Sequence, residues 1–106
     1  MKILEQYKGQ IDEIIKGIKD ALKDDQYFAN VFVHADDYGK KIEFCGTIKD
    51  APRYTFTQIS VYVRDINDTS EVVDRFVKNW FKRTESPKAI KLFKDFIAIS
   101  TDIGWD

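Results

Sequence analysis

The sequence predicts an α+β fold: a three-stranded antiparallel meander packed by helices, in the order α-β-β-β-α-α, with a short C-terminal strand as an option. Three observations predict it. Apolar residues recur at three- and four-residue spacing near the N-terminal end and again in two segments after residue 68, the pattern of amphipathic helices. Between these segments lie three runs rich in β-branched and aromatic residues, which suit a pleated, half-buried surface. The connections between the runs are short, and parallel strands would need a crossover of roughly a dozen residues.

The first helix is predicted over residues 2–23. Ile3, Leu4, Tyr7, Ile11, Ile14, Ile15, Ile18 and Leu22 form its apolar face, with Lys8, Asp12, Glu13, Lys16, Lys19, Asp20 and Lys23 opposite. That polar face mixes both signs, which disfavours an anionic lipid surface. The first strand is predicted over 26–35. Asp36-Asp37-Tyr38-Gly39 forms the turn after it, with Gly39 available for positive φ. Residues 41–49 alternate: Ile42, Phe44, Gly46 and Ile48 share one face, and Lys41, Glu43, Cys45 and Thr47 the other. After a turn at Asp50-Ala51-Pro52-Arg53, the third strand is predicted over 54–64. Ile59, Val61 and Val63 lie on one side, and Tyr54, Phe56 and Tyr62 on the other. Apolar residues on both sides predict a bulge near Thr57 or partial cover of the second face.

Asp68-Thr69-Ser70-Glu71 has the spacing of a capping box and starts the second helix, whose stripe is Val72, Val73, Phe76, Val77, Trp80 and Phe81. Ser86-Pro87 starts the third, with Ser as cap and Pro at the first helical position; Ala89, Ile90, Phe93, Phe96 and Ile97 form its apolar side. Residues 98–106 read equally as an edge strand or a docked tail.

Composition bounds the class. A chain of 106 residues suits one domain, residues 1–106, because two would leave each too little core. Apolar residues are 43%, charged residues 33% and aromatics 14%, which fits an ordinary aromatic-rich globular core. The net charge is −1, from 17 basic and 18 acidic residues, which argues against a whole-protein polyanion binder and a whole-protein DNA mimic but leaves room for a local patch. A single cysteine, Cys45, allows no intrachain disulfide. The opening residues reach a charge too soon for a signal peptide, and no apolar run nears the roughly 20 residues of a membrane span. The expectation is a cytoplasmic domain with no membrane contact.

The sequence carries no catalytic motif, no cofactor motif and no metal-binding pattern, so the expectation is a non-enzyme without cofactor. His34 and Cys45 are each unique in the chain, so a Cys–His pair is the first reactive constellation to test. A four-residue loop at 36–39 would hold them about 13 Å apart, and a two-residue turn at Tyr38-Gly39 about 7 Å. A working dyad needs roughly 3 Å. The carboxylate clusters Asp24-Asp25, Asp36-Asp37 and Asp65/Asp68 fall at turns, where capping and turn chemistry place them without any metal.

Two surfaces remain. Tyr54, Phe56 and Tyr62 would form an aromatic patch on the open sheet face, a candidate site for a protein partner. Residues 78–94 carry Lys78, Lys82, Arg83, Lys88, Lys91 and Lys94 against Glu85 alone, a local excess of five that leaves the rest of the chain at −6. They are the candidate site for the alternative reading, a nucleic-acid-binding accessory protein.

The element order resembles that of double-stranded RNA-binding domains, without their Lys-Lys pair. The stretch Ser70-Glu71-Val72-Val73-Asp74-Arg75-Phe76-Val77, followed by Phe93-Lys94-Asp95-Phe96-Ile97-Ala98-Ile99-Ser100, resembles the C-terminal half of small phage-encoded Cas9-inhibiting anti-CRISPR proteins, over roughly residues 54–100. That resemblance implies a phage or mobile-element protein that binds and blocks a host protein or complex. Those inhibitors are strongly acidic DNA mimics; this chain is nearly neutral, so no functional residue is carried over.

Overall fold

A computed structural model describes residues 2–52 and 55–95. The elements run α1 (Ile3–Gln6), α2 (Lys8–Ala21), β1 (Phe28–Asp36), β2 (Lys41–Ile48), β3 (Phe56–Tyr62), α3 (Thr69–Arg83) and α4 (Pro87–Lys94), with a single 3₁₀ turn at Val63–Asp65. The sheet is a β1-β2-β3 antiparallel meander. Residues 98–106, expected as an edge strand or a docked tail, lie outside the described residues. The α-β-β-β-α-α order holds, with one refinement. The helix predicted over 2–23 is broken at Tyr7 (φ −110, ψ 23), so its first turn stands apart as α1. Asp37 of the β1–β2 loop accepts a hydrogen bond from the Ile3 amide at 2.8 Å, which ties the start of α1 to the hairpin.

The helices pack on one face of the sheet. α2 contributes Ile11, Ile14 and Ile18, with Leu22 just beyond its end; α3 contributes Val72, Phe76 and Trp80, and α4 contributes Phe93, all buried. Each such side chain removed from water is worth about 1.5–3 kcal/mol. They meet Ile42, Phe44, Ile48 and Val61 of the sheet. Trp80 sits at the centre, edge-on to Phe28 at 5.3 Å and to Phe93 at 5.4 Å. Phe81, expected in the α3 stripe, is 51% exposed. One residue beyond Trp80 is 100° further round the helix, which takes the ring off the sheet-facing side.

Two turn expectations are corrected. Gly39 does not take positive φ; Lys40 (φ 56) and Asp50 (φ 62) do. The Gly39 amide donates to Asp36 Oδ1 at 2.8 Å, and an added Cβ would push that exposed carboxylate aside, so a side chain at Gly39 competes with this turn hydrogen bond. The bulge expected near Thr57 lies elsewhere: β2–β3 pairing is continuous from Phe56 to Tyr62, and the register shift falls in β1 between Phe28 and Asn30. It lets Phe28 and Val31, three residues apart, share the buried face.

Both helix caps form. Asp68 accepts from the Glu71 amide at 3.4 Å, and Ser86 accepts from the Ala89 amide at 3.1 Å, with Pro87 at the first helical position. Removing a cap oxygen costs about 1 kcal/mol. Ser86→Ala is expected to lower stability by about that amount and Asp68→Ala by less, because its bond is longer. Urea unfolding midpoints check the order; a larger loss at Asp68 would contradict it.

Candidate functional site

Among the described residues, no helix covers the second face of the sheet. The strand registers lay out this face in rows: Asn30, Thr47 and Phe56; then Phe32, Cys45 and Gln58; then His34, Glu43 and Ser60; then Asp36, Lys41 and Tyr62. Of the three aromatics predicted here, Phe56 and Tyr62 are present on the face, and Tyr54 lies outside the described residues. The face holds another ring, Phe32, 40% exposed and edge-on to Phe56 at 5.4 Å. Sequence reading missed Phe32 because the β1 bulge sets the side on which that strand's alternation falls. Tyr62, 46% exposed, has Arg64 at 4.9 Å and Lys41 at 5.5 Å from its ring centre. Such exposed cation–π contacts are worth about 0.5–1 kcal/mol.

His34 and Cys45 lie on this face but do not form a pair. The β1–β2 register places His34 opposite Glu43, the register of the shorter-turn option, although four residues, 37–40, connect the strands, and His34 Nε2 meets Glu43 Oε2 at 3.1 Å. Cys45 is fully buried, stands between Phe32 and Gln58 in the strand register, and its thiol lies 3.5 Å from Gln58 Oε1. Burial, with the Glu43 carboxylate as a lesser contributor, pushes the thiol up to about 12. A thiol so protonated at neutral pH is a poor nucleophile.

Cys45 is therefore expected to react with iodoacetamide only as fast as the protein opens. Its folded-state value lies above the ordinary 9.0, so the unfolded chain loses this proton first as pH rises. The contribution of Cys45 to stability is complete below pH 9 and declines towards about 12. Cys45→Ala should flatten that alkaline decline in urea unfolding; an unchanged decline would refute the assignment.

The aspartate clusters do turn and cap work. Asp25 Oδ1 accepts from the Tyr27 and Phe28 amides, Asp36 and Asp37 hold the hairpin, and Asp68 caps α3. Among the described residues, no group of three or more His, Cys, Asp or Glu side chains could hold a metal. No described helix is long and apolar enough to cross a membrane.

The six basic residues divide. Lys78, Lys82 and Arg83 belong to α3. Lys88, Lys91 and Lys94 step by 300° each, so they fan over about 120° of α4 instead of forming a row. Lys91 pairs with Asp95 at 3.2 Å, an exposed contact worth little. Lys82 and Arg83 line a cleft of about 360 Å³ between β3, α3 and α4, together with Thr57, Gln58, Asn79, Glu85, Ala89 and Leu92. In it, Asn79 Nδ2 and Arg83 Nε both donate to the buried Thr57 hydroxyl, at 2.9 and 3.3 Å. Burial pushes the Arg83 guanidinium below its ordinary value.

Compared with known proteins, the chain matches no family model, no curated protein and no solved structure. The functional reading rests on the chain's own chemistry.

Proposed function

We propose that this chain is a non-catalytic interaction module that binds a protein partner through the sheet face that no described helix covers. The observation that carries the reading is that face itself. Phe32 and Phe56 pair at one end, Tyr62 stands at the other, and side chains of both signs, Lys41 and Arg64 with Asp36 and Glu43, lie among them. Aromatic anchors with a mixed polar rim are the usual anatomy of a protein–protein contact. A nucleic-acid platform would need an excess of positive charge that this face lacks. The resemblance to small phage inhibitors supports the same class of action, in which a compact phage or mobile-element protein occupies a host protein and modulates it.

Affinity capture from a host extract, with wild type beside Phe32→Ser/Tyr62→Ser, tests the reading. A protein held by wild type through a high-salt wash and lost by the double variant supports it. Equal retention on both, or a captured species released by nuclease, overturns it.

A further inference from the structure

We propose that the cleft between β3, α3 and α4 is a binding site for a phosphate ester. The site is separate from the aromatic patch and does not depend on it. Asn79, Lys82 and Arg83 have the spacing i, i+3, i+4, so one face of α3 presents an amide, an ammonium and a guanidinium to the same space. Thr57 organises two of them. Its buried hydroxyl accepts from both Asn79 Nδ2 and Arg83 Nε, which fixes the plane of each group before any ligand arrives. The Asn79 amide has a second N–H beyond the one given to Thr57.

Charge selects the ligand's sign. Among the described residues that line the cleft, the cationic side chains Lys82 and Arg83 stand beside one carboxylate, Glu85. Lys82 makes no ion pair among the described residues, and neither do Lys78, Lys88 or Lys94 nearby in sequence. A planar carboxylate is satisfied by one guanidinium fork, whereas a tetrahedral oxyanion can accept from an amide, an ammonium and a guanidinium together. The volume of about 360 Å³ falls within the usual range for small-molecule sites, roughly 300–1,000 Å³. Ala89 and the half-exposed Leu92 form an apolar wall that suits the organic part of an ester.

The test is an amide-resolved NMR titration of the full chain with inorganic phosphate, adenosine monophosphate and a short single-stranded oligonucleotide. Saturable shifts confined to the amides of Thr57, Gln58, Asn79, Lys82, Arg83, Ala89 and Leu92 are expected, stronger with the ester than with phosphate alone. Lys82→Gln should weaken binding about tenfold or more, as loss of a charge-assisted contact does. Lys16→Gln, which removes a charge from the exposed side of α2, should leave it unchanged. Tighter binding of the oligonucleotide through the same amides would assign the phosphate to a nucleic-acid backbone, and tighter binding of the mononucleotide to a free metabolite. Absence of saturable shifts at millimolar ligand overturns the proposal. So do shifts scattered over all surface lysines, or an equal loss in Lys16→Gln.

Discussion

Gly46→Val is expected to destabilise the protein by about 3 kcal/mol, the upper end of the usual cost of overpacking a core. Strand propensity alone argues the opposite sign, because valine suits a strand and glycine weakens one. The outcome is decided on the inward face of β2. A Cβ at Gly46 would lie 2.6 Å from Phe76 Cζ and 3.3 Å from Trp80 Cζ3. Neither ring has room to retreat. Both are fully buried, and Trp80 is held edge-on by Phe28 and Phe93. The absence of a side chain at Gly46 is therefore what lets α3 lie against the central strand. Domains of this kind have only about 5–15 kcal/mol of net stability, so the loss would be easily read from a urea midpoint. Gly46→Ala should show a smaller loss of the same sign. An unchanged or raised midpoint for the valine variant would mean that α3 does not sit where the structure places it.

Phe32→Ser/Tyr62→Ser is expected to weaken capture of the protein partner by about 30-fold or more, equivalent to about 2 kcal/mol, the scale of an interface hot spot. The cost to folding should be smaller for each residue separately. Phe32 loses one edge-on contact with Phe56, worth about 0.5–1.5 kcal/mol, and Tyr62 loses two exposed cation–π contacts. Binding and folding can be separated through Cys45. Phe32 stands directly opposite Cys45 in the register, so Phe32→Ser should speed alkylation of this buried thiol, while Tyr62→Ser, two rows away, should not. If Tyr62→Ser alone retains full partner affinity and an unchanged melting temperature, Tyr62 is no part of the contact. If both variants unfold, the face is structural and the docking reading loses its support.

The two candidate surfaces differ in how far they could be read in advance. Phe56 and Tyr62 were visible as outward positions of β3 because their alternation runs unbroken through the strand. Lys82 and Arg83 were visible only as members of a basic run. The partners that turn them into a site, Thr57 and Asn79, are a strand residue remarked only as the place of an expected bulge and a neutral helix residue, 22 positions apart in the chain.

The sequence by itself determined the order of helices and strands, the buried stripe of α2, the inward face of β2 and the two helix caps. Each of these is local: it follows from a period of 3.6 or 2 residues, or from a side chain reaching a backbone amide three positions on. Only the tertiary structure decided the break at Tyr7, the β1 bulge that turns Phe32 outward, the burial of Cys45 and the meeting of Asn79 and Arg83 on Thr57. These depend on strand register and on how closely a helix approaches the sheet. Such quantities are set by the packing of residues distant in the chain, and no single segment's periodicity carries them.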